Sequence, residues 1–167
     1  MNLKELSNID EWKGKFNWVI AFEVIEHILD DKKFFIDATQ CLIPGGRLLV
    51  TTPYLHYKPI SKEDNGPFEP IEDGRHVRRG YSKAMLFELC KEAKVIPEEI
   101  SYCSGFISQK VTALMRKGEK IYPFFGWTLS LPLRPIIPFL DPIFTKCLQW
   151  PFFSICLEAY KPSYAIN

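Results

Sequence analysis

Between Phe16 and Pro53 the chain reads FNWVIAFEVIEHILDDKKFFIDATQCLIPGGRLLVTTP, and this stretch constrains the fold more than any other. Phe16 to Phe22 is a nearly unbroken apolar run rich in aromatic and β-branched residues. Such a run suits a strand buried on both faces of a parallel sheet. Asp30 and Asp31 can cap a following helix, on which Phe34, Phe35, Ala38, Cys41 and Leu42 recur at helical spacing. Pro44, Gly45 and Gly46 stop that helix and supply a sharp turn, after which Leu48 to Thr52 reads as a second buried strand. Strand, helix and strand of these lengths make a right-handed βαβ unit.

A long polar loop follows, from about Tyr54 to Gly80, and loops of that length inside a compact domain are usually functional or mobile. Ser82 can cap a helix with Met85, Leu86, Leu89, Cys90 and Ala93 on its apolar face. Glu99 to Ser104 predicts a third strand, Ile107 to Lys117 a further helix, and Ser154 to Tyr160 a last strand. The expected organisation is one partial domain over residues 1–167, with an apolar, proline-rich insertion at 121–153. That insertion is broken by Pro123, Pro132, Pro135, Pro138, Pro142 and Pro151 and carries Arg134 mid-run, which argues against a membrane-spanning helix.

With 47% hydrophobic and 25% charged residues the chain is globular, and a net charge of +1 leaves no electrostatic footprint for nucleic acid. Five scattered cysteines without a CxxC pair suit reduced core residues of a cytoplasmic protein, and the N-terminus shows no secretory h-region.

EVIEHILD after a buried strand, followed by LIPGGRLLVTTP, resembles the class I S-adenosylmethionine-dependent methyltransferases, of the small-molecule and quinone type. The family's strand usually begins FD, where this chain has Asn17. HVRRGYSKAMLFELCKEA continues the resemblance with a His-x-Arg before the penultimate helix. The match covers Phe16 to Ser104, with a weaker echo at Ser154 to Pro162. It implies an α/β, Rossmann-like, doubly wound sheet lacking its N-terminal strands, with an apolar helical insertion before the last strand. The family holds its methyl donor with a glycine-rich loop after its first strand, yet the nine glycines here include no G-x-G. About fifteen residues precede the first matched strand, too few for the missing βαβ units of roughly 30 residues each. The resemblance therefore implies the C-terminal half of a methyltransferase domain, with S-adenosylmethionine as the family cofactor and an open apolar edge on the Phe16–Phe22 strand.

By the same resemblance Ala21, Phe22 and Glu23 face the methyl donor, although Phe22 can equally be core. Glu23, Glu26 and His27 follow the carboxyl end of a strand, the usual place for ligands in such a sheet. Some relatives use E-x-x-E-H to hold a divalent metal near the acceptor hydroxyl, with His76 as a further ligand by that analogy. The plainer reading is that Glu26 and His27 shape the helix entry. His56, Arg78, Arg79 and Tyr81 cluster in or beside the long loop as acceptor-binding residues, with His76 as general base, or else the loop is simply solvated. The insertion is either a helical cover or, through Trp127, Phe124, Phe125, Phe139 and Trp150, a hydrophobic acceptor pocket or membrane-surface patch. The implied function is methyl transfer to a small or lipid-linked acceptor, at oxygen. The competing expectation is an inactive half-domain that self-associates or works through a partner chain.

Overall fold

A computed structural model describes residues 10–163 of the chain. Its four strands are β1 (Phe16–Phe22), β2 (Leu42–Pro53), β3 (Ile96–Cys103) and β4 (Ser154–Tyr160). They form one sheet in the order β1-β2-β4-β3, with β1 parallel to β2 and β4 antiparallel to both its neighbours. The helices are α1 (Asp31–Cys41), α2 (Lys83–Glu92), α3 (Phe106–Glu119), α4 (Phe125–Ser130) and α5 (Ile137–Cys147). The architecture is thus a partial α/β sheet with helices inserted before the last strand.

Local chemistry explains the element ends. The Asp30 carboxylate accepts the Lys33 N–H at 3.0 Å and starts α1, and the Ser82 hydroxyl accepts the Met85 N–H at 3.3 Å and starts α2. Helix α1 ends at Cys41, earlier than the Pro-Gly-Gly signal alone predicts, and the chain is already extended at Leu42. Ile43 precedes a proline, which disfavours helical backbone there. Gly45 adopts φ +78 within this bend, and its N–H donates to the Lys161 carbonyl at 2.8 Å.

Both α1 and α2 pack on one face of the sheet. The core there joins Ala21, Leu48, Val50, Ile155, Leu157 and Ala159 of the strands to Phe34, Phe35, Leu86 and Leu89 of the helices. Met85 lies outside this core, 38% exposed. The expectation that β1 is buried on both faces is corrected. The strand is the outermost of the sheet, and among the described residues only its α1 side is covered. Side chains alternate across a strand, so Trp18, Ile20 and Phe22 fall on the opposite face, 48%, 55% and 57% exposed. Among the described residues β1 thus has an unpaired outer edge and an apolar exposed face.

The segment before β4 folds as α4, a short 3-10 turn at Leu131–Leu133 and α5, packed on α3. Among the described residues no helix is long and apolar enough to cross a membrane.

Candidate functional site

The site is built where β1 ends. Glu23 turns the chain with φ +53, a left-handed conformation unusual for a residue with a side chain, while its N–H still bonds the Thr51 carbonyl at 2.8 Å. That turn leads into a single 3-10 turn, Ile25–His27. Ile25 and Glu26 are both fully buried. The Thr52 hydroxyl, at the carboxyl end of β2, donates to Glu26 Oε2 at 3.1 Å, whereas among the described residues Glu26 Oε1, 3.9 Å from His27 Nε2, and His27 Nδ1 are buried without hydrogen-bond partners.

The long loop brings a third group that could ligate an ion. Its Val77 N–H donates to the Glu26 carbonyl at 2.8 Å, which seats His76 against His27 with ring centroids 4.6 Å apart. Potential ligand atoms of Glu26, His27 and His76 all lie within 4.8 Å of one another. Glu23, exposed at the turn, lies outside this group of three but close enough to act on Glu26 electrostatically.

Burial pushes the Glu26 carboxyl up to about 7, with the Glu23 charge adding to the rise, while the local backbone and Thr52 hold it partly down. Burial, and secondarily His27, lowers the His76 pKa, so its imidazole is neutral at neutral pH. An unpartnered carboxylate oxygen beside two imidazoles is a donor set that fits a divalent ion. Two nitrogens and one oxygen suit a first-row transition ion better than Mg²⁺, which prefers oxygen ligands.

The other sequence candidates have distinct places. Arg78 donates to the Asp31 carboxylate and to the carbonyls of Ile28 at 2.7 Å and Leu29 at 2.9 Å, clamping the loop to the start of α1. Tyr81 is fully buried and donates to Asp31 at 2.8 Å. Arg79 donates to the carbonyls of Leu55 at 3.1 Å and Tyr57 at 3.0 Å and stacks over the Tyr57 ring. These three side chains fix the loop that carries His76. Gly80 is required there, because a Cβ would meet the Pro53 carbonyl oxygen at 2.2 Å. His56 is exposed with its ring against Tyr54. Ala21 is buried in the core, whereas Phe22 points to the bare face of the sheet. Trp127 sits on α4 beneath the Arg134 guanidinium.

Sequence reasoning missed Thr52. Its only signal was its place at the strand end, in the Thr-Pro that closes the motif.

The sequence matches no family model, and no curated protein matches it significantly. Solved structures do resemble the fold. The chain superposes on phosphoethanolamine N-methyltransferase 2 of Haemonchus contortus, in complex with S-adenosylmethionine, with a TM-score of 0.54 and 17% identity, covering 90% of this chain and 34% of that one. The methyltransferase complexed with the Trm112 activator of Haloferax volcanii gives 0.56 and 12%, covering 97% and 60%. The [4+2]-cyclase SpnF gives 0.54 and 16%, covering 95% and 54%. The chain thus spans between about a third and three fifths of the proteins it resembles. At these identities the likeness establishes the fold, and the cyclase among the three shows that the fold alone does not fix the reaction.

Proposed function

We propose that this chain, which shares the fold of class I S-adenosylmethionine-dependent methyltransferases, contributes the acceptor side of a methyl transfer to oxygen on a small or lipid-linked molecule. We further assign Glu26, His27 and His76 as holders of a divalent metal ion beside that acceptor. One observation carries this reading: the three groups converge at the carboxyl end of β1, although His76 lies on a loop distant in sequence. Ligands in open α/β sheets bind at that end of the strands.

A bound divalent ion lowers the pKa of a coordinated hydroxyl. The chain's own residues do the rest. Thr52 holds one oxygen of Glu26 and leaves the other free. Arg78 and Arg79 hold the loop, and the Val77–Glu26 backbone bond keeps the His76 ring beside His27. Where no ion is bound, His76 is already neutral and has a nitrogen lone pair for the proton of an acceptor hydroxyl.

By resemblance Ala21, Phe22 and Glu23 would face a methyl donor, yet Ala21 is enclosed in the core, and the sequence has no G-x-G loop to approach that donor. These residues do not make a complete donor site, and no chemical step is assigned to the donor here. A segment carrying that loop, paired along the open edge of β1, would complete it. The apolar exposure of Trp18, Ile20 and Phe22 supports such a partner segment over a self-sufficient enzyme.

Two titrations test the reading. Calorimetry with Mn²⁺, Zn²⁺ and Mg²⁺ should show binding of the transition ions that Glu26→Gln and His76→Ala each abolish. Binding that survives both substitutions would remove the metal assignment. Titration of the same chain with S-adenosylmethionine should show no micromolar affinity, and a tight site would refute the need for a partner segment.

A further inference from the structure

Helix α5 is folded inside out. Its buried side chains are polar, Asp141 and Thr145. Ile136 at its N-cap and Phe139, Leu140, Ile143 and Phe144 along it stand 40% to 76% exposed. Their spacing of i, i+3, i+4, i+7 and i+8 makes a single apolar stripe, the pattern a globular helix normally turns toward its core.

The cause lies on the opposite side of the helix. The Asp141 carboxylate accepts the N–H groups of Gly105 at 2.8 Å, Ile107 at 2.7 Å and Ser108 at 3.2 Å, and Thr145 Oγ1 accepts that of Phe106 at 2.8 Å. These bonds satisfy the otherwise orphaned amides at the start of α3. They fix the polar face of α5 inward and leave its stripe outside. Helix α4 behaves alike. It meets α3 through glycines: a Cβ on Gly126 would lie 2.2 Å from the Met115 carbonyl oxygen, and one on Gly118 would lie 2.8 Å from Gly126 Cα. The two helices therefore touch backbone to backbone, and Phe124, Phe125 and Trp127 remain 78%, 50% and 44% exposed.

The charge on this region identifies what the stripe would meet. From Lys110 to Lys146 the cations are Lys110, Arg116, Lys117, Lys120, Arg134 and Lys146, against Glu119 and the enclosed Asp141. Arg116 is paired with Asp64, and Arg134 lies over Trp127. A second copy placed on this face would set one basic region against another. An anionic surface has the complementary charge. Helix α5 is about 16 Å long, roughly half the hydrocarbon thickness of a bilayer, so it can lie in a membrane surface and cannot cross it.

We infer that the α3–α5 face is a membrane-surface anchor that takes an anionic phospholipid bilayer, with the α5 stripe and the α4 aromatics at the acyl boundary and the basic side chains among the headgroups. The inference does not depend on metal binding or methyl transfer, because its readout is partition onto lipid.

Flotation of the whole chain with vesicles tests it, comparing phosphatidylcholine alone with phosphatidylcholine containing about one third phosphatidylglycerol. The chain should float with the anionic vesicles. F139D/I143D should lower its partition about tenfold or more, and K117E/K120E should remove the preference for anionic lipid. I20K, on the bare face of β1, should leave partition unchanged. Circular dichroism of each variant separates lost binding from lost folding, and the two double variants alter separate features, the α5 stripe and the charge at the end of α3. No flotation of the parent chain, or equal flotation of parent and both double variants, overturns the inference. So does a lipid-independent dimer that F139D/I143D dissolves, since the stripe would then belong to a second copy.

Discussion

Glu26 should make the chain less stable as the pH rises toward neutrality and beyond. Its side chain is fully buried, with one oxygen bonded to Thr52 and the other, 3.9 Å from His27 Nε2, accepting no hydrogen bond among the described residues. Burial raises its pKa from 4.5 to about 7. Below the unfolded value the carboxyl is protonated in both states and costs nothing. Between 4.5 and about 7 the unfolded chain gives up its proton first, so stability falls with rising pH, and above the folded value the whole deficit stands. A rise of this size corresponds to roughly 3 kcal/mol. The comparison is with Glu26→Gln, which has the same shape, still accepts the Thr52 hydroxyl and cannot ionise. Urea or thermal melts from about pH 5 to about pH 8 should show the variant gaining on the parent by most of that amount, about 6–12 °C for a domain of this size. Other titrating groups are common to both proteins and cancel. A saturating transition ion should flatten the slope of the parent alone, because the ion binds the carboxylate form. Parallel pH profiles of parent and variant would refute the argument, since the carboxyl would then sit in an environment as polar as water.

Asp141→Ala should cost about 3 kcal/mol in a urea melt, because it strips the acceptor from three amides at the start of α3; a change near zero would show that water replaces it. Cys103 Sγ lies 3.5 Å from Cys156 Sγ on the neighbouring strand, a contact that lowers the Cys103 thiol to about 7 and raises that of Cys156. Iodoacetamide should therefore label Cys103 with a pH midpoint near 7, and Cys156→Ser should slow that labelling at neutral pH by up to roughly tenfold; an unchanged rate would refute the coupling. The bare face of β1 should drive self-association, visible by light scattering across a dilution series and reduced by Trp18→Lys, whereas a monodisperse monomer at high concentration would refute it.

Elements governed by local chemistry are legible in the sequence. β1 and β4 begin and end where the apolar runs predict, and Asp30 and Ser82 cap the helices they precede. What the periodicity of β1 could not show is which face lacks a neighbour, because that depends on elements outside the strand. The site divided in the same way. Glu26 and His27 could be picked out as candidates from their place after a strand. The seating of His76 depends on one backbone bond between Val77 and Glu26, fifty-one residues apart by their numbers, and no local pattern encodes it. Arg78 and Tyr81 illustrate the converse. Their side chains suggested ligand binding, yet each finds its partners inside the protein because the loop folds back over α1. In α5 the outward direction of the apolar stripe is decided by Asp141 through bonds to α3, which no local pattern encodes.

The glycine contact between α3 and α4 has an evolutionary consequence. Most helix pairs are held by interlocking side chains, so residues that change an outward surface often loosen the joint beneath it. Here Gly118 and Gly126 bring the two backbones together directly, and of the aromatic residues around them only Phe125 lays its ring edge against the joint. Phe124 and Trp127 can therefore drift toward other shapes and polarities while the helical hairpin persists. The same joint tolerates almost nothing at the two glycines, where a single added methyl group meets backbone. Variation and constraint are thus assigned to different residues of one small hairpin, and a lineage could retune the outer surface many times without having to reinvent its support.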